Sequence, residues 1–135
     1  MVCLDTSFLI ELIRRNPEAE RKLKEYISAG AKISTTPITA CELFKGAYRT
    51  GRGENIVKVR KILSLLEVLD FSIGACEMYG KIVNELSLKG SPIGDLDTMI
   101  ASIALINGES LLTLNKEHFE KVHGLTVEPW LTSRS

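Results

Sequence analysis

Three carboxylates stand out because apolar sequence surrounds each of them. Asp5 follows the apolar opening MVCL and precedes two hydroxyl residues, Thr6 and Ser7. Glu42 lies in ITACELFKGAYR, where Lys45, Gly46 and Arg49 share its side of a helix at i+3, i+4 and i+7. Asp97 heads LDTMIASIALI, a helical segment apolar almost all round, with Ala101 and Ala104 at i+4 and i+7 beneath it. Taken singly, each acid has a plain reading. Asp5 can cap a helix, although Thr6 or Ser7 can do the same. Asp97 suits the positive end of a helix, although Asp95 can supply a cap there. Glu42 can pair with Lys45 on a solvated face. Brought together, the three would repel one another and lose hydration, so they would need a cation. Oxygen ligands of this kind suit Mg²⁺ or Mn²⁺ rather than zinc. Such an ion can activate water and stabilise the charge that builds on a phosphodiester during cleavage, which is the chemistry of a hydrolytic nuclease.

The elements that must position these acids alternate in type. MVCL reads as a short buried strand, and a helix from Thr6 or Ser7 runs to about Arg15, stopped by Asn16-Pro17. EAERKLKEYISAG has Ala19, Leu23 and Ile27 at helical spacing, with Gly30 as its stop. AKISTT is a second strand, and Pro37 opens a helix to about Tyr48. RTGRGEN is the most loop-like stretch, and IVKVRKILSLLEVLDF holds a helix and then a strand around 67–71. SIGACEMYGKIVNELSLKG is a long helix capped by Ser72 and stopped by Gly90. After the loop SPIG, DLDTMIASIALING is a helix ending at Asn107-Gly108, SLLTL a strand, KEHFEKV a short helix, and LTVEPWL a last strand. Strands alternating with helices predict an α/β fold with a mostly parallel sheet. Sites in such sheets collect beyond the carboxyl ends of the strands, where Asp5 and Asn115 both fall.

Bulk properties narrow the classes. A chain of 135 residues with no linker or repeat is expected to form a single domain over 1–135. Its formal net charge of +0 argues against a sequence-independent nucleic-acid coat, not against a nuclease. No apolar run nears the roughly 20 residues of a membrane span, and the N-terminus lacks the order of a signal peptide, so a cytoplasmic protein is expected. Cys3, Cys41 and Cys76 are far apart in apolar contexts and read as small buried thiols. His118 and His123 have no partners at zinc-ligand spacing. Phosphate-binding loops and GxSxG elbows are absent from the sequence.

At the acidic residues the chain resembles the PIN-domain ribonucleases, in particular the VapC-type toxins of prokaryotic toxin–antitoxin pairs. LDTSFLIELI is similar to that family's first acidic motif, TTPITACELFKGA to the second and PIGDLDTMIASIAL to the third. LLTLNKEHFEKVHGLTVEPW is similar to the closing segment, with Asn115 where the family often has Asp. The resemblance implies a three-layer α/β/α fold and Mg²⁺- or Mn²⁺-dependent cleavage of RNA. Asp5, Glu42 and Asp97 would be catalytic and would hold the metal, Asn115 and Thr113 would tune its shell, and Lys45 and Arg49 would contact the RNA backbone. It also implies homodimerisation and a cognate VapB-type antitoxin that blocks the acidic site, gripped by the two early helices. Asp95 is an additional acid expected to point away from the metal. The rival expectation is a non-catalytic PIN-like domain that binds RNA or a protein, and Asn115 is its best support.

Overall fold

The computed structural model describes residues 1–129. Five strands form one sheet in the order β3-β2-β1-β4-β5, and every pairing is parallel. The strands are β1 (Val2–Leu4), β2 (Ile33–Thr35), β3 (Glu67–Val68), β4 (Ser110–Thr113) and β5 (Val127–Pro129). Helices α1 (Thr6–Ile13) and α2 (Pro17–Ser28) connect β1 to β2, and α3 (Pro37–Arg49) and α4 (Gly53–Ser64) connect β2 to β3. The return to the far side of β1 uses α5 (Ile73–Leu88) and α6 (Asp95–Ile106), and α7 (Lys116–Phe119) joins β4 to β5.

The strand β1 and the middle of β4 are apolar on both faces, as a sheet covered by helices on each side requires. Cys3 and Leu111 face one core, which also holds Ile82, Leu86, Ile100, Ala104 and Phe119 from α5, α6 and α7. Val2, Leu4 and Leu112 point the other way, into a core with Phe8, Leu9, Leu43, Ala47 and Val59 from α1, α3 and α4. The alternation along β1 and β4 follows from the two-residue side-chain period of a strand. These two cores and the sheet between them make the three-layer α/β/α architecture.

Several boundaries differ from the expected ones. Asp5, not Thr6 or Ser7, caps α1: its Oδ1 accepts from the backbone N–H of Phe8 at 3.0 Å. α1 ends at Ile13, and the chain turns through Arg15 at φ 63°, a left-handed backbone more often given to glycine. On α2, Tyr26 rather than Ile27 follows Ala19 and Leu23 onto the core, while Ile27 is exposed. α4 starts inside the glycine-rich stretch read as a loop. β3 is only two residues long, and β5 takes up only Val127–Pro129 of the predicted segment 125–131, with Trp130 and Leu131 outside the described residues. Gly94, without a side-chain hydrogen bond, occupies the cap position of α6 expected for Asp95. Of the three free thiols only Cys3 is buried; Cys41 and Cys76 lie at the surface, on the outer sides of α3 and α5.

Candidate active site at the carboxyl ends of the strands

The chain starts in the middle of the sheet, moves outward through β2 and β3, and then crosses to β4 and β5 on the other side of β1. The direction of winding therefore reverses between β1 and β4. Open parallel sheets leave a crevice beyond the strand ends at such a reversal. Asp5 is the first residue past β1, and Thr113 ends β4 beside it.

Asp5 is almost fully buried, with 2% of its surface exposed. Thr113 Oγ1 donates a short hydrogen bond to Asp5 Oδ2. Ser7 Oγ donates to Asp5 Oδ1 at 2.7 Å, and the Phe8 N–H reaches the same oxygen. Ser7 Oγ in turn accepts from the backbone N–H of Leu114 at 3.0 Å, tying the start of α1 to the end of β4. Burial pushes the Asp5 carboxyl above the usual carboxylate range; the three hydrogen bonds oppose the rise and the charge of Asp97 adds to it.

Asp97 lies in the first turn of α6, and the loop to that helix passes through Gly94 at φ 96°. Its Oδ2 stands 3.3 Å from His118 Nδ1 on α7. Glu42 approaches from α3, anchored by a different route. Thr36 caps that helix, accepting from the Thr39 N–H, and Thr6 Oγ1 lies 2.6 Å from Glu42 Oε1 and 3.2 Å from Thr39 Oγ1. Glu42 is thus bonded to the residue next to Asp5 rather than to Lys45. Lys45 and Arg49 are exposed on α3 and enter no ion pair among the described residues. Asn115 is exposed just past β4, its backbone N–H donating to Thr113 Oγ1 at 2.9 Å. Asp95 points away toward α5, where the Tyr79 hydroxyl donates to it at 2.9 Å.

Asp5 feels the charge of Asp97, whereas Glu42 is bonded to Thr6. Among the described residues, no three His, Cys, Asp or Glu side chains are gathered tightly enough to hold a metal ion as they stand. The donor set nonetheless has the character of a hard-cation site: Asp5 is desolvated, the one charge bearing on it is that of another carboxylate, and neither Lys nor Arg pairs with Asp5, Glu42 or Asp97 among the described residues. Beside Glu42 a groove of about 260 Å³ runs between α1, α3 and α4, lined by Ile10, Ile13, Arg14, Gly46 and Thr50. α1 contributes to this groove; α2, the second early helix, does not line it.

The PIN domain family model matches residues 2–125. The chain belongs to the PIN-domain family. Within it, the chain is 37% identical over 128 residues to the tRNA(fMet)-specific endonuclease VapC of Salmonella typhimurium, covering 94% of this chain and 96% of that protein. It is 32% identical, over the same shares, to ribonuclease VapC2 of Rickettsia felis. The crystal structure of Rickettsia felis VapBC2 bound to a promoter DNA fragment contains a similar chain, with a TM-score of 0.88 and 31% identity over 97% of this chain and 100% of that one. DNA-bound VapBC from Salmonella typhimurium gives the same TM-score at 32% identity, covering 96% and 98%. The PIN fold thus agrees with the expected family. His118, Ser7 and Thr6 are the site neighbours that sequence reading missed. By sequence His118 offers itself only as a zinc ligand without partners, yet its position three residues past Asn115 sets it on α7, directly after β4 and near the strand ends.

Proposed function

We propose that this PIN domain is a divalent-metal-dependent endoribonuclease, acting in the cytoplasm as the toxin of a VapBC-type toxin–antitoxin pair. The observation that carries the reading is the buried Asp5 carboxyl at the winding reversal, its pKa raised by burial and by Asp97, with neither Lys nor Arg paired to either acid among the described residues. Asp5 and Asp97 are the residues that would hold the ion, Mg²⁺ or Mn²⁺, with Glu42 completing the acidic set and Asn115 at its margin. When bound, the ion supplies an activated water and charge stabilisation at the scissile phosphate.

The chain's own residues do the remaining work. Thr113, Ser7 and the Phe8 N–H fix the Asp5 carboxylate in one orientation, so binding an ion costs little rearrangement there. Thr6 holds Glu42 on the site side of α3, where its carboxylate can accept a proton from the attacking water. Lys45 and Arg49, one and two turns further along that helix and in no ion pair among the described residues, offer ammonium and guanidinium groups for the phosphates that flank the cut. The groove beside Glu42, apolar with Arg14 at its edge, suits a segment of the antitoxin entering toward the acids. A homodimer is part of the same proposal.

Cleavage of labelled single-stranded RNA tests the reading. Wild type should cut with Mg²⁺ or Mn²⁺ and stop on adding chelator, whereas Asp5→Asn and Asp97→Asn should lose at least about a hundredfold in rate, the scale of a lost catalytic group. Full activity in both variants would contradict the mechanism, and RNA binding without turnover in wild type would favour a non-catalytic domain.

A further inference from the structure

His118 differs in chemistry from every other group that meets the acids. Its Nδ1 is 3.3 Å from Asp97 Oδ2, long for an N–H···O bond to a carboxylate, which is usually about 2.7–2.9 Å. Two donors on one ion, each about 2.0–2.2 Å from it and roughly 90–109° apart, stand about 3.0–3.5 Å from one another. The spacing of the pair is already that of one edge of a coordination shell. The His118 side chain is about half exposed, at 52%, so its ring can rotate without disturbing the core that Phe119 anchors next to it. Asp5, whose carboxylate is fixed by three hydrogen bonds, senses the Asp97 charge.

We propose that His118 is a nitrogen ligand of this site, joining Asp97 and Asp5 on the same divalent ion and tilting the site's preference from Mg²⁺ toward Mn²⁺ and Co²⁺. The proposal rests on the metal-dependent reading above and deepens it. Its physical basis is donor type. Mg²⁺ favours carboxylate and water oxygens in a near-ideal octahedron, whereas imidazole nitrogen suits the later first-row ions. An all-carboxylate site with a neutral Asn115 at its margin would have less negative charge than one with an acid there. A neutral imidazole adds a donor without adding charge, which again favours ions that bind nitrogen over ions held by charge alone.

The test is electron spin-echo modulation of Mn²⁺ bound to the chelator-stripped, untagged protein, which detects ¹⁴N of a coordinated imidazole. The chain has two histidines, His118 and His123, so the signal has only two possible sources. The modulation should be present in wild type and in His123→Ala, and lost in His118→Ala. Calorimetric titration of the same proteins should show Co²⁺ affinity falling about tenfold in His118→Ala while Mg²⁺ affinity stays unchanged. Absence of the ¹⁴N signal in wild type, its survival in His118→Ala, or an equal loss of affinity for both ions would overturn the proposal while leaving a carboxylate-only metal site intact. A wild-type protein that binds none of these ions in the calorimeter would overturn the metal-dependent reading along with it.

Discussion

Asp5 does two jobs that usually fall to different residues. One carboxylate oxygen caps α1 through the Phe8 N–H, and the other faces Thr113 at the crevice. The sequence made both roles readable but made them look like alternatives, because Thr6 and Ser7 are equally good caps by type. Their hydroxyls are spent elsewhere, Ser7 on Asp5 and Leu114, Thr6 on Glu42. A stability consequence follows at this scale. With its folded pKa raised above the ordinary value near about 3.9, Asp5 binds its proton more tightly in the folded chain than in the unfolded one. Stability is therefore lost as pH rises from that value through the folded pKa, and it stays low at neutral pH. Asp5→Asn keeps an acceptor for Phe8 and removes the charge. In chelator, thermal denaturation should show the variant melting above wild type at pH 7, with the gap closing as pH is lowered toward 4. A gap that widens on acidification would contradict this assignment. Adding Mn²⁺ at pH 7 should raise the melting temperature of wild type more than that of the variant, because the ion binds the folded state.

At the scale of elements, helix starts and stops were legible wherever local chemistry decides them. Ser72 caps its helix by accepting from a backbone N–H group, and Gly30 and Gly90 turn the chain at positive φ, as their residue types imply; Asn16, read only as the stop of the first helix, also caps the second. The failures share one cause, which is tertiary context overriding local signals. Gly53 begins α4 in a stretch that reads as loop, because α4 is held by packing Val59 against α3 and the second core. α1 stops two residues early, since a left-handed turn at Arg15 is needed to bring α2 back over the sheet. Arg15 is a bulky residue in a conformation that costs roughly 1–2 kcal/mol for a non-glycine side chain, offset in small part by its exposed ion pair with Glu20 at 3.0 Å. Arg15→Gly should therefore stabilise the fold by about 0.5–1 kcal/mol in chemical denaturation, after allowing for the greater chain freedom glycine adds to the unfolded state. A loss of stability would show that the Glu20 pair, not the backbone, dominates at this turn.

For the whole molecule, alternation of strands and helices was enough to predict a parallel sheet with two covered faces. It was not enough to give the strand order. β1, β2 and β4 are all short, largely buried segments of three or four residues, and which of them become neighbours depends on how helix pairs pack, a matter of long-range contact that no local pattern encodes. The order matters because it alone brings Asp5 and Thr113 together and sets α6 and α7 close by, so that Asp97 and His118 meet. Glu42 enters the same region from α3 through Thr6. Three acids from three separate segments thus reach one end of the sheet, without a closed cluster among the described residues. The account turns on whether a single divalent ion draws them into one. Anomalous diffraction from crystals grown with Mn²⁺ measures this directly. The predicted result is one strong peak between Asp5 and Asp97, bonded to both carboxylates, with Glu42 reaching it directly or through a water. Mn²⁺ bound only elsewhere, or a refined site that leaves Asp5 out, would contradict it.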